Sequence, residues 1–445
     1  MSKTIQFFKE IAKIPRESGN EKKIAEYLCK FAKSRNLEYT IDKYNNVLIR
    51  KKTADRPGLI LQGHTDMVCV SQDSNFDFAN MPIEVIEENG YLRANNTTLG
   101  ADNGIGVAQI LNVLDNNWPY NIEAIFTASE ETTMAGAKNF DVSKIEGKYL
   151  LNLDGFDENL IVNESAAYYD LIIKYAGRKV KATYPNAYKV ELTGLAGGHS
   201  GYDLDKGRGN AIILLAKFLL QFSCEICEFK GGTKNNVFPS QATAIINSLE
   251  DIQDIECRFL NEYRKKYPNL EIKIEKIDNV NDGLENSTEY LEFLSNFPSK
   301  AINYNENDEP TTSINLGVIN DTHLEIGMRS SREREALNAI DMLDSYGKKY
   351  KLELIKDDYQ PGFYSDKNSK LIQKLVATCP YPEPAKARAL HITVEAGFFQ
   401  EKRKDIEIAI ISPNIEDAHS TKERVNIKSI EMTDKWLEEF IKAFE

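Results

Sequence analysis

The sequence has fewer basic than acidic residues, few histidines and no long apolar run. Its 445 residues include 55 Lys and Arg, 68 Asp and Glu and 5 His, which gives a formal net charge of -13. A nucleic-acid partner is therefore not expected, because a basic face is needed to bind phosphates. No run of about 18 apolar residues is present, so no membrane span is expected. The N-terminal segment lacks the apolar core of a signal peptide, and we expect a cytoplasmic protein.

Cysteine is scarce as well. In a chain of this length without a visible secretory signal, the six cysteines are expected to be reduced thiols. Cys224 and Cys227 form one isolated CxxC pair, and the absence of a second pair nearby disfavours a zinc or redox role. The GxSxG elbow of many serine hydrolases is also absent, which disfavours that class.

Strand and helix patterns alternate at both ends of the chain. Apolar runs at 58–62, 122–128, 149–153 and 406–411 are typical of buried strands, and 105–114 and 432–444 have helical patterns. They predict an α/β catalytic domain with a mainly parallel sheet, formed by residues 1–187 and 363–445. Residues 188–362 have more alternating strands, with helices expected at 209–222, 252–266 and 333–348. This middle part predicts an inserted α+β domain.

Two polar motifs contain residues suited to binding a metal ion. His64 and Asp66 follow an apolar strand and are two positions apart, so in an extended chain they point to the same side. Asp66 is placed to hold the second ring nitrogen of a metal-binding imidazole. Asp102 lies among glycines just before a helix, where a carboxylate could bridge two cations. Ligands in open α/β sheets collect at the carboxyl ends of strands, where His64 lies.

Further acidic and imidazole groups follow other predicted strands. Glu130 and Glu131 are adjacent and point in different directions, so one could ligate a metal while the other transfers a proton. Asp154 ends the strand at 149–153, and His419 follows the one at 406–411. Each motif alone has a more common structural explanation, but their joint occurrence in a chain with 5 His predicts a metal site. Mixed histidine and carboxylate ligands favour zinc, with manganese or cobalt also plausible.

These motifs resemble the M20 family of co-catalytic metallopeptidases, and most closely its aminoacyl-histidine dipeptidase branch. The resemblance covers nearly the whole chain in the right order. Its most specific segments are QGHTDMVC at 62–69, GADNGIG at 100–106 and GGHSGYD at 197–203. It implies hydrolysis of dipeptides or other short peptides, and it implies that the inserted domain is a lid. Departures at Thr133, 155–158, 165–167 and around His391 remove no ligand, but they bear on substrate preference.

The resemblance implies a role for each metal ligand. His64 and Asp154 would hold one divalent ion, and Glu131 and His419 the other. Asp102 would bridge both ions, with a cis peptide bond to Asn103.

Further roles follow from the same resemblance. Glu130 would be the general base, Asp66 would orient His64, and His199 of the lid would stabilise the oxyanion. The substrate-binding positions would be Asn236, Arg329 and Gly397.

Several alternatives remain open at this stage. An M20 amidohydrolase acting on N-acyl amino acids would use the same metal site, and a non-catalytic relative would keep the ligands without turnover. The sequence is compatible with a monomer or a homodimer, so His199 could act in its own chain or in a partner subunit.

Overall fold

The computed structural model describes residues 2–53, 58–175, 177–252, 256–278 and 280–444. The chain forms two compact units. The first contains residues up to Ser165, Pro361–Leu390 and the chain from Val394 onwards, and the second contains Ala166–Gln360 and His391–Thr393. The second unit thus begins at Ala166, whereas the sequence predicts an inserted domain at 188–362. That division into domains, and the lid role, stay predictions.

The elements are numbered in chain order. Up to Ser165 they are α1 (Lys3–Ile11), α2 (Lys22–Ser34), β1 (Glu38–Ile41), β2 (Val47–Lys51), β3 (Leu59–His64), β4 (Ile86–Glu88), β5 (Tyr91–Arg93), α3 (Ala101–Asp115), β6 (Ile122–Thr127), α4 (Ala135–Asn139), β7 (Tyr149–Asn152) and β8 (Leu160–Ser165). The second unit contains β9 (Ala167–Lys174), β10 (Lys179–Lys181), β11 (Asn186–Thr193), α5 (Ala211–Leu219), β12 (Cys224–Gly231), β13 (Ala242–Ser248), α6 (Glu256–Tyr263), β14 (Glu271–Ile277), β15 (Asp282–Leu284), α7 (Ser287–Ser295), β16 (Ala301–Tyr304), β17 (Pro310–Ile319), β18 (His323–Ser330), α8 (Glu333–Lys349) and β19 (Glu353–Gln360). The chain ends with α9 (Lys370–Thr378), β20 (Lys386–Leu390), α10 (Gly397–Lys402), β21 (Glu407–Ile410), β22 (Ile415–Glu416), β23 (Arg424–Asn426) and α11 (Ile427–Ala443).

The first unit is built on a sheet with the strand order β1-β2-β6-β3-β7-β21-β8-β20. The central pairs β6-β3, β3-β7 and β7-β21 are parallel, as is β8-β20. This confirms the mainly parallel α/β sheet predicted from the sequence. Every residue of β3 and β6 is buried, as expected for strands covered on both faces. Because these parallel strands run the same way, the residues that follow β3, β6, β7 and β21 lie at one edge of the sheet.

The second unit has its own sheet and its own apolar core. The strand order is β14-β11-β13-β12-β17-β18-β9-β19, with β16 on β17, and the pairs along it are antiparallel. Helices α5, α7 and α8 contribute apolar residues to its core. Helix α7 was missed in the sequence, and residues 253–255 of the helix expected at 252–266 lie outside the described residues.

Two further findings concern the described residues. None of the helices there is long and apolar enough to cross a membrane. The cysteines whose side chains are described are unpaired thiols, namely Cys29, Cys69, Cys224, Cys227 and Cys379.

Asp434 of α11 forms hydrogen bonds with two other helices of the first unit, α1 and α3. Its burial predicts that the stability of the protein depends on pH. Its Oδ1 accepts hydrogen bonds from Thr4 of α1 at 2.9 Å and Gln109 of α3 at 3.1 Å. Burial raises the pKa of Asp434 to about 7, although both hydrogen bonds oppose the rise. The folded state therefore keeps a proton that the unfolded chain releases, and stability falls as the pH rises from about 4 through 7.

Asp434→Asn should remove this loss of stability, because an amide group does not ionise in this pH range. The amide oxygen can still accept both hydrogen bonds. We expect the variant to exceed the wild type in stability by at least about 1 kcal/mol at pH 8, and by much less at pH 5. Thermal unfolding at the two pH values measures the difference. Asp141→Asn is the control, because hydrogen bonds from Ser143 lower the pKa of that exposed carboxyl and no gain at pH 8 is expected. An equal gain for Asp434→Asn at both pH values would contradict the prediction.

Candidate active site

Asp102 is buried at the start of α3, with its two carboxylate oxygens facing different imidazoles. Oδ1 lies 3.0 Å from Nε2 of His64, and Oδ2 lies 2.9 Å from Nε2 of His419. Burial opposes ionisation, but the hydrogen bonds to both imidazoles hold the pKa of Asp102 well below its usual value. The Asp102–Asn103 peptide bond is cis, as expected. The carboxylate is therefore positioned between two potential ligand groups.

His64 ends β3 and is 1% exposed. Its Nε2 lies 3.6 Å from Oδ1 of Asp154, which follows β7. Its Nδ1 lies 3.2 Å from the carbonyl oxygen of Asp66 and 3.5 Å from that residue's Oδ1. One ring nitrogen thus faces the acidic cluster, while Asp66 holds the other, which is the arrangement that metal-binding histidines commonly have.

Asp66 also fixes the segment that carries the two adjacent glutamates. Its oxygens accept hydrogen bonds from the backbone N–H groups of Glu130 at 3.0 Å and Glu131 at 3.1 Å. The Ser18 hydroxyl donates a further hydrogen bond of 2.7 Å. A single buried carboxylate thereby links the ends of β3 and β6.

His419 lies in the loop after β22 and faces Glu131. Its Nε2 is 3.1 Å from Oε2 of Glu131. Burial opposes protonation, but the hydrogen bonds to Asp102 and Glu131 raise the pKa of His419 to about 11. Its φ of 62° is left-handed, a conformation that is uncommon outside glycine and is found often at functional sites.

The carboxyls of Glu130 and Glu131 resist ionisation. Burial raises the pKa of Glu130 well above its usual value; the charge on His64 opposes this, and Asp154 and Glu131 add to it. Burial, followed by the charge of Asp102, likewise raises the pKa of Glu131. Crowded buried carboxylates of this kind are stabilised when a cation lies among them.

The donor set fits divalent cations. Ligand atoms of His64, Asp102 and Glu131 all lie within 4.8 Å of one another. Imidazole nitrogens and carboxylate oxygens together are ligands that zinc accepts, and manganese and cobalt also bind such sets. The structure thus contains a possible metal-binding group at the edge of the sheet predicted from the sequence.

The glycines of the GADNGIG segment are explained by close packing around this turn. A Cβ atom at Gly106 would lie 2.4 Å from the carbonyl oxygen of Leu153, and one at Gly100 would lie 2.4 Å from Nη2 of Arg16. Gly63, in the first motif, would place a Cβ atom 2.4 Å from Oδ1 of Asn103. Larger residues at these positions would displace the segment that carries Asp102.

Other predicted site residues lie in the second unit. Arg329 of β18 is buried, donates to Oγ of Ser200 at 2.7 Å, and has Nη2 3.2 Å from Nε2 of His199. The carbonyl oxygen of Asn236 accepts a hydrogen bond from the Ser200 N–H at 2.9 Å. These residues therefore form one cluster, and their proposed roles towards substrate stay predictions.

Gly397 belongs to the first unit, at the start of α10. A Cβ atom there would lie 2.0 Å from the carbonyl oxygen of Pro361. The chain therefore has a packing reason for glycine at this position, and its predicted place beside the substrate stays a prediction.

One buried residue behind the site was missed by the sequence analysis. Glu395 is fully buried, and its Oε1 accepts hydrogen bonds from Nε2 of Gln62 and from Oγ1 of Thr127 at 2.6 Å. Burial raises the pKa of Glu395 to about 7. A signal was available, since Glu395 lies two positions before Gly397, which the resemblance implies is a substrate-binding position.

Comparisons with known proteins show which proteins this chain is similar to. Residues 60–443 match the family model described as Peptidase family M20/M25/M40. The cytosol non-specific dipeptidase of Escherichia coli (strain K12) is 30% identical over 453 residues, which cover 95% of this chain and 93% of that protein. The crystal structure of aminoacylhistidine dipeptidase from Vibrio alginolyticus superposes with a TM-score of 0.84 at 25% identity, covering 99% of this chain and 96% of that one. The aminopeptidase PepT from Bacillus cereus has the same fold, with a TM-score of 0.58 at 16% identity over 99% of this chain and 97% of that one.

Proposed function

This chain belongs to peptidase family M20/M25/M40 and is a metallo-dipeptidase, and we propose that it cleaves dipeptides or other short peptides at a two-metal site with Glu130 as the general base. The observation that carries the proposal is the Asp102 carboxylate, whose two oxygens face the imidazoles of His64 and His419. Each imidazole has a further carboxylate beside it, from Asp154 and Glu131 respectively. The Escherichia coli relative is named a cytosol enzyme, and we propose the same location here.

The donor groups divide into two sets that share one member. We assign His64 and Asp154 to one ion, Glu131 and His419 to the other, and Asp102 to both. Zinc is the favoured metal, because imidazole and carboxylate are its usual nitrogen and oxygen ligands, with manganese or cobalt as alternatives.

The chain's own residues supply the proton transfers and the orientation. When bound, a pair of divalent cations lowers the pKa of water and polarises the scissile carbonyl group. Glu130 takes the proton of the attacking water and delivers it to the leaving amine, a role suited to a carboxyl whose pKa burial raises. Asp66 keeps the His64 ring in one orientation. His199 is assigned to the developing oxyanion on the resemblance alone.

Arg329 is proposed to bind the free carboxylate of the substrate. Its guanidinium is buried, and no carboxylate of the described residues lies within ion-pair distance of it. Burial lowers the pKa of Arg329 to about 10, so it still carries its charge at neutral pH. A buried cation without a partner carboxylate is well suited to an anionic ligand, and Asn236 would provide a neighbouring amide.

The decisive experiment combines metal analysis with a substrate panel. The panel contains free dipeptides with and without C-terminal histidine, their C-terminally amidated forms, and N-acetyl amino acids, each assayed before and after chelation. We expect metal-dependent cleavage of the free dipeptides, restored by zinc, manganese or cobalt. Amidation should slow cleavage by about 10–100-fold, the value of a lost charged hydrogen bond. Faster cleavage of N-acetyl amino acids would instead support the deacylase alternative, and bound metal without any hydrolysis would support a non-catalytic protein.

A further inference from the structure

A buried carboxylate, Glu423, binds the backbone of the turn that carries Asp102. It is 2% exposed and follows His419 by four positions in the same loop. Its two oxygens accept hydrogen bonds from four successive N–H groups, those of Leu99 at 2.8 Å, Gly100 at 2.9 Å, Ala101 at 2.7 Å and Asp102 at 3.2 Å. The loop bearing one candidate ligand, His419, is thereby fastened to the turn bearing another.

Arg16 binds the same turn by donating to a backbone carbonyl oxygen of the turn. It is also 2% exposed, and its Nη2 donates to the carbonyl oxygen of Gly100 at 2.5 Å. Its Nη1 donates to the carbonyl oxygens of Thr65 at 3.1 Å and Asp66 at 2.9 Å, directly after His64. Arg16 therefore fastens the end of β3 to the Asp102 turn.

The room for this guanidinium is provided by glycines. A Cβ atom at Gly100 would lie 2.4 Å from Nη2 of Arg16, and one at Gly104 would lie 2.7 Å from it. Gly100 also has a φ of 70°, where other residues are strained. Two glycines of the GADNGIG segment thus serve the Arg16 contact as well as the turn itself.

The contacts of both groups are with backbone atoms, so neither is a metal ligand. Desolvating two charged side chains is costly, and the hydrogen bonds to the turn, together with the attraction between the charges of Arg16 and Glu423, offset that cost. We propose that Glu423 and Arg16 are positioning residues that set the metal affinity of the site by holding the Asp102 turn against the His419 loop and the end of β3. This inference rests on the two-metal site proposed above.

The two residues should act on different ions. Glu423 shares its loop with His419, so Glu423→Gln should mainly lower the affinity for the ion assigned to Glu131 and His419. An amide keeps only one acceptor oxygen and turns its own N–H groups towards backbone donors. Arg16→Lys should mainly lower the affinity for the ion assigned to His64 and Asp154, because one ammonium group cannot bind three carbonyl oxygens in a fixed geometry. Loss of an outer partner typically lowers metal affinity by about 10–100-fold.

Metal titration of the metal-stripped protein tests this without an activity assay. Zinc affinities are measured by competition with a chromogenic chelator, and cobalt loading is followed by its visible absorption spectrum. We expect one of the two zinc affinities to fall by about 10–100-fold in each variant, with a changed cobalt spectrum. Glu416→Gln and Arg93→Lys are the matched controls. They lie on β22 and β5, where Glu416 pairs with Arg424 and Arg93 pairs with Glu88, and they should bind metal as the wild type does.

Circular dichroism of the metal-free proteins separates a positioning role from a merely structural one. If Glu423→Gln does not fold, the shorter Glu423→Asp replaces it, because a side chain one methylene shorter still loses part of the four-donor contact. Folded variants at both positions that bind two zinc ions with wild-type affinities would overturn the inference and leave the proposed function intact. A wild-type protein that binds no metal would overturn both.

Discussion

Glu130→Gln should lower kcat by about 10²–10⁴-fold while the protein keeps its full metal content, because a general base is lost and no assigned ligand is changed. Glutamine has nearly the same shape, so the backbone hydrogen bond from Glu130 to Asp66 can persist. Burial raises the pKa of the Glu130 carboxyl, which suits a group that must accept a proton and release it again. The measurement is kcat on a dipeptide together with metal content per chain.

The neighbouring glutamate is the matched control for this prediction. Glu131 has the same chemistry one position later, but its Oε2 lies 3.1 Å from Nε2 of His419. Glu131→Gln should therefore weaken the binding of one ion, whereas Glu130→Gln should not. If the metal is lost from Glu130→Gln and kept in Glu131→Gln, the two roles have been assigned the wrong way round. A near-normal kcat for Glu130→Gln would remove it as the base.

The location of the candidate site at the carboxyl ends of the parallel strands could be predicted, because runs of apolar residues identify buried strands. Once β3, β6 and β7 are parallel neighbours, the residues after them must lie close together, and this brings His64, Glu131 and Asp154 to one place. His419 was harder to place. It lies beyond the short strand β22, in a loop with a left-handed backbone. Its position after the predicted strand at 406–411 marked it as a candidate ligand, and the resemblance paired it with Glu131.

The roles of Arg16 and Glu423 and the pairing of strand β9 could not be predicted from the sequence. Arg16 and Glu423 bind backbone carbonyl and N–H groups, which every segment possesses, so no complementary side chain in the sequence points to them. Strand β9 carries mixed polar and apolar residues and pairs with β18 and β19, more than a hundred residues later. Pairing over that separation is set by the tertiary fold, so the local pattern of β9 does not show which sheet this strand joins.

Asp102→Asn should produce the largest loss, because it is the one assigned ligand shared by both ions. An asparagine can turn its oxygen towards only one of His64 and His419, and the N–H groups on its other side cannot bind a cation. We expect both zinc affinities to fall and kcat to fall by more than about 10³-fold, since water activation and carbonyl polarisation both depend on the bound ions. Metal content per chain and kcat with added zinc measure the two effects.

The matched control for that substitution lies at the other end of the same helix. Asp115 ends α3 and forms ion pairs with Lys3 and Arg35, so Asp115→Asn removes a carboxylate from the same element without touching the site. It should keep two ions and wild-type kcat, with a stability loss of no more than about 1 kcal/mol. Were Asp102→Asn to retain both ions and turn over normally, Asp102 could not be the bridge, because the contact that joins the two imidazoles would then be dispensable. Loss of a single ion would mean that Asp102 binds one cation only. We expect both ions to be lost, because each carboxylate oxygen of Asp102 faces a different imidazole.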